Sequence, residues 1–99
     1  MSAEHAPVSL TIILCTFHRE ALLRQALQSL LGQQVPRGCQ VEIVVVDNSD
    51  AGTARSVVES LKSASPFPLR WIEAHPANIS VARNAGVAAA ATPFIGFLD

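Results

Sequence analysis

No segment of this chain approaches the roughly 18–20 consecutive apolar positions that a membrane-spanning helix needs. Residues 1–7 also lack the charged-then-apolar order of a leader. A cytoplasmic location is therefore expected, with membrane association left to regions outside these residues. Basic residues are scarce: seven Lys and Arg stand against eight Asp and Glu, the net charge is −1, the pI is about 6.3, and no basic run occurs. That balance argues against a nucleic-acid partner or an anionic-membrane surface. Cysteine is confined to Cys15 and Cys39, at neither metal-ligand nor CxxC spacing, which argues against a disulfide framework. Cys15 reads as a small core residue at a strand end and Cys39 as a loop residue. His75 precedes a proline, with no second His or Cys at ligand spacing, so histidine ligation of a metal is not expected. No internal repeat appears.

What is present is a folding chain. Hydrophobic residues make up 49% and charged residues 15%, which places all but a polar, disordered N-terminus (1–7) in one domain or part of one. Residues 8–15 begin with alternation and become fully apolar, as an inner strand does. Leu22, Leu23, Ala26, Leu27, Leu30 and Leu31 follow at helical spacing from Glu20, and Gly32 is a stop signal. Residues 41–46 form a second strand whose last four positions are apolar without alternation, the pattern of a strand covered on both faces. A helix starting within 50–53 and running to about residue 63, an edge strand over 69–73, an alanine-rich helix over 80–91 and a strand over 94–98 complete the chain.

The order β-α-β-α-β-α-β with short links predicts an α/β fold, a Rossmann-like doubly wound and mainly parallel sheet ordered 3-2-1-4. The topological switch then lies between strands one and four, where residues 16–19, residues 47–50 and Asp99 converge on one crevice. Asp47, the first residue past its apolar run, should stand at that rim with its carboxylate free for a ligand; residues 47–50 equally suit a turn and helix cap. Arg83, placed in the first turn of the alanine-rich helix, is disfavoured by the helix dipole unless an anion sits there. The alternative is a local pair with Glu73 or Asp99. Asn78 and Ser80 read as caps of that helix. Phe17 either stacks on a base or joins the core. Asp99 suits a hard cation or a ribose hydroxyl, or is merely a chain end.

Four segments, VSLTIILCTFHR (8–19), EIVVVDNS (42–49), NISVARNAG (78–86) and FIGFLD (94–99), resemble, in order and interval, the family 2 glycosyltransferases. The resemblance runs from Val8 to Asp99 and implies the A-type glycosyltransferase fold with a site for a nucleotide-diphosphate-sugar, leaning towards UDP. It implies that Thr16 and Phe17 border the base, with Phe17 replacing the more usual tyrosine, that Asp47 hydrogen-bonds the base, and that Arg83 lies near base and diphosphate. It also implies that Asp99 opens an Asp-x-Asp motif for ribose and a divalent metal, Mn²⁺ or Mg²⁺, with transfer by inversion to an unknown acceptor. His18 stands where asparagine is usual. With the second Asp and the catalytic base expected downstream, residues 8–99 would be the N-terminal nucleotide-binding half of a transferase domain, incomplete at its C-terminal side and prone to self-association.

Two other classes compete. A dinucleotide-dependent oxidoreductase or a nucleotidyltransferase wants a glycine-rich turn after strand one, and residues 15–20 contain no glycine. A non-enzymatic nucleotide-binding or receiver-like module would use Asp47 as phosphoacceptor, but receivers want an acidic pair after strand one, where Thr16, Phe17 and His18 stand instead.

Overall fold

The computed structural model describes residues 8–49 and 51–98. The expectations for residues 1–7, Asp50 and Asp99 therefore fall outside the described residues. The elements run β1 (Val8–Thr16), α1 (Glu20–Leu31), β2 (Cys39–Asp47), α2 (Arg55–Lys62), β3 (Leu69–Glu73), α3 (Ile79–Ala89) and β4 (Phe94–Leu98). The strands form one parallel sheet in the order β3-β2-β1-β4, with Thr16 beside Asp47 and Leu14 beside Leu98. The doubly wound expectation and its strand order hold.

Strand β2 shows why the unalternating run matters. Ile43, Val44, Val45 and Val46 are all wholly buried, each removing apolar surface worth about 1.5–3 kcal/mol. Ile43 and Val45 face Leu23 and Leu27 of α1 and Val57 and Val58 of α2, while Val44 and Val46 face Ala82 of α3. On that second face the helix lies very close. A Cβ on Gly86 would fall 2.5 Å from Ile13 Cγ2 and 3.2 Å from Val46 Cγ2. Gly86, though a poor helix former, is what lets α3 rest on the sheet.

Several boundaries move, each for a physical reason. Cys39 is not a loop residue: pairing with β1 begins at Val8 opposite Cys39, so β2 starts two positions early. Helix α2 starts at Arg55, because Gly52 takes a positive φ of 63° and residues 53–54 form a turn first. Helix α3 begins at Ile79 and ends at Ala89, two residues short of 91. There Ala90 turns extended and the Ala91 N–H donates to Glu42 Oε2 at 3.0 Å. Arg83 is thus the fifth helical residue, one place beyond the first turn.

At the amino end of the sheet, Glu42 gathers neighbouring elements. Its Oε2 also accepts from the Thr11 hydroxyl of β1 at 2.8 Å, and its Oε1 accepts from Arg70 of β3 at 3.2 Å. Thr11 in turn shares a 2.6 Å hydrogen bond with Thr92, just before β4. Burial pushes the Glu42 carboxyl up, but the bonds from Ala91 and Thr11 and the Arg70 charge outweigh it and hold it below its ordinary range.

Candidate nucleotide-binding cleft

Where β1 and β2 end at the carboxyl side of the sheet, a concavity of about 470 Å³ opens between them and the N-terminus of α3. Thr16 and Phe17 form one wall, Ala77, Asn78 and Ile79 the other, and Asn48 lies between. Phe17 is 48% exposed, so it is not a core residue; its ring meets that of His18 edge-on at 4.6 Å. His18 itself sits at a positive φ of 51°, a conformation in which histidine, like asparagine and aspartate, is enriched among non-glycine residues. A second hollow of about 680 Å³ shares Phe17 and Asn48 and is bounded by His18, His75 and Pro76. Another hollow, of about 510 Å³, lies around Ser9, Glu42 and Thr92 at the amino end, away from the rim where open α/β sheets take ligands.

Asp47 does not line the cleft, and its carboxylate is not free. The side chain is wholly buried on the α2 face of the sheet. Oδ1 accepts the Ser49 N–H at 3.0 Å and the Ser49 hydroxyl at 2.6 Å; Oδ2 accepts the Ala54 N–H at 3.0 Å and the Trp71 indole N–H at 3.1 Å. The bond to Ser49 is the Asx turn anticipated by the turn reading, extended by two contacts from distant residues. Burial pushes this carboxyl up, yet the Ser49, Ala54 and Trp71 donors together outweigh it and hold it below its ordinary value. A carboxylate has about four acceptor positions, so a ligand N–H would have to replace one of these donors.

The residue after it was not singled out by sequence reasoning. Asn48 is 6% exposed, its N–H donates to Thr16 O, and its carboxamide is bonded to the backbone of Ala74, Pro76 and Asn78. The available signal was its place directly behind the strand-end aspartate. Asn78 caps α3, accepting the Ser80 N–H at 2.8 Å and the Val81 N–H at 3.3 Å. The N-terminal N–H groups of α3 are therefore partly closed by Asn78, as its cap reading expects, whereas Ser80 is a helical residue and not a cap. Arg83 is set apart from this cleft: its guanidinium lies 5.6 Å from the Phe97 ring centroid, on the β4 side. Glu73, one partner considered for it, is 3.5 Å from His75 Nε2.

Among the described residues no three His, Cys, Asp or Glu side chains come together as a metal site. The described residues alone do not fit a divalent ion. No helix among them is long and apolar enough to cross a membrane.

Residues 11–99 match the family described as "Glycosyl transferase family 2". The succinoglycan biosynthesis protein ExoM of Rhizobium meliloti is 34% identical over 85 residues, 86% of this chain and 27% of that protein. The validoxylamine A glucosyltransferase of Streptomyces hygroscopicus subsp. limoneus is 31% identical over 98 residues, 99% of this chain and 21% of that protein. The minor teichoic acid biosynthesis protein GgaA of Bacillus subtilis is 28% identical over 91 residues, 90% of this chain and 20% of that protein. The chain thus spans about a fifth to a quarter of the length of these relatives. With its parallel 3-2-1-4 sheet, a cleft at the carboxyl rim and a family match over residues 11–99, the chain belongs to glycosyl transferase family 2.

Proposed function

We propose that the whole protein transfers a sugar from a nucleotide-diphosphate-sugar to an acceptor hydroxyl, and that residues 8–99 hold the donor nucleotide. The acceptor oxygen bonds to the anomeric carbon as the nucleoside diphosphate leaves with the glycosidic electron pair. The acceptor proton passes to a base outside the described residues. One observation carries the reading: an exposed aromatic, Phe17, forms the wall of a 470 Å³ cleft at the ligand-binding rim of a parallel sheet in a chain of this family. Phe17 is the stacking surface for the base and Thr16 its border. Asp47 reaches the base only by exchanging one of its four donors. Arg83 serves the diphosphate from the β4 side, and Asp99 is assigned to the ribose.

UDP is the favoured nucleotide. Asp99 would open the motif for Mn²⁺ or Mg²⁺, and no step above depends on that ion. The validoxylamine relative is named a glucosyltransferase, and the same class of hexosyl transfer is proposed here. The protein would act on the cytoplasmic side, with any membrane association supplied by regions beyond these residues. Self-association is expected along β4, whose Phe94, Ile95, Phe97 and Leu98 are 38–57% exposed.

Thermal shift of the full-length protein with UDP, GDP, NAD and acetyl phosphate tests the reading. UDP or GDP should raise the midpoint; stabilisation by NAD or acetyl phosphate alone would overturn it. Arg83→Ala should weaken a nucleoside diphosphate more than the bare nucleoside, and equal losses would remove its phosphate role.

A further inference from the structure

Resting on the nucleotide reading above, we infer that Asn48 is the positioning residue of the cleft, fixing the wall formed by residues 77–79 at its working distance from Thr16 and Phe17. Residues 75–80 are all exposed, so this segment has little apolar packing of its own to hold it. Among the described residues, its hydrogen bonds to the end of β2 come from one carboxamide. Asn48 Nδ2 donates to Ala74 O at 2.7 Å and to Pro76 O at 3.1 Å, and Oδ1 accepts the Asn78 N–H at 2.8 Å. The backbone N–H of Asn48 donates to Thr16 O at 2.8 Å, tying the same residue to the opposite wall.

These partners fix the amide orientation. Two carbonyls require donors and one N–H requires an acceptor, so the flipped amide would lose all three bonds. They also fix the residue type. Aspartate keeps the acceptor for Asn78 but sets a carboxylate oxygen against two carbonyls; alanine leaves three backbone groups without their partner. Through Asn78, which caps Ser80 and Val81, the carboxamide also sets the start of α3. Asn48 itself lines the cleft between the two walls, and its role is to hold them in place.

The test uses full-length protein and UDP as probe, with calorimetry at a temperature where circular dichroism shows each variant fully folded. Asn48→Ala and Asn48→Asp should lower UDP affinity about 10- to 100-fold. Amide exchange should speed up over residues 74–80 and stay unchanged over 41–46. A role in stability alone would leave the affinity of folded protein unmoved, so equal UDP affinity in either folded variant overturns the inference. Should neither variant fold, nuclear magnetic resonance of the wild type decides. The Asn48 carboxamide protons should exchange slowly, and their resonances should shift with that of the Asn78 amide on adding UDP. Fast exchange without a shift overturns the inference. A wild type that binds neither UDP nor GDP overturns the functional reading and this inference with it. A wild type that binds UDP beside an Asn48 variant that binds equally overturns this inference alone.

Discussion

Strand β2 carries a buried or partly buried carboxylate near each end, and the two are employed differently. Glu42, at the amino end, faces the α3 side and is bonded by a hydroxyl, a backbone N–H and the Arg70 cation, which come from β1, the link before β4, and β3. Asp47, five positions on, faces the α2 side and, among the described residues, is held by neutral donors, three of them from the loop that follows it. The amino end fastens strands to one another. The carboxyl end fastens loops to the sheet, through a side chain that is wholly buried. A charge served only by neutral donors loses more when one partner is removed, because nothing else compensates it.

Asp47→Ala should therefore be the most damaging change at either end. It leaves four donors without their acceptor and should cost about 3 kcal/mol or more in a urea titration. A loss below about 1 kcal/mol would mean that water replaces the carboxylate and the site is less dry than its burial implies.

Acidification should follow the same ranking. Both carboxyls are held below their ordinary values in the fold, so the unfolded chain binds protons first. Their stabilisation is complete above the ordinary carboxylate range, about pH 4, and is lost as the pH falls through the folded values. Circular dichroism of acid titrations should show a flatter acid limb in Asp47→Ala than in Glu42→Gln. The reverse order would transfer the larger linkage to the amino end.

Glu42→Gln should cost only about 1 kcal/mol, since Gln still offers an acceptor to Thr11 and Ala91 and the lost Arg70 pair is partly solvated. Nucleotide affinity should not change; a loss there would show that the two ends are coupled. Phe17→Ala should move stability by no more than about 0.5 kcal/mol, because the ring is half exposed. It should nonetheless weaken nucleotide binding by about 1–3 kcal/mol if the ring stacks on a base. Unaltered binding by calorimetry would remove Phe17 from the site.

The contrast between the ends also marks what the sequence made legible. The strand order followed from alternation, unbroken apolar runs and short links, all local signals of the backbone's period. Thr16 and Phe17 were placed at the rim by the same logic. The closure of Asp47 was not legible, since Ala54 and Trp71 reach it from seven and 24 residues away and nothing local announces them. Asn48 was hidden similarly: its three carboxamide partners lie 26 to 30 residues downstream, on backbone atoms that carry no sequence signature. Gly86 did leave a mark, a lone glycine among alanines, whose cause is packing against Ile13 and Val46.

Trp71 is the chain's single tryptophan. Its indole N–H donates to Asp47 Oδ2, and the Arg55 guanidinium lies 5.1 Å from its ring centroid. The protein thereby contains an optical reporter wired to one carboxylate, with no competing chromophore of its kind. Light absorbed by that ring is emitted at a wavelength set by the charge and polarity at its nitrogen. Protonation of Asp47, or a base N–H that displaces the indole, should therefore change the emission colour, while events around Glu42 should leave that colour unchanged.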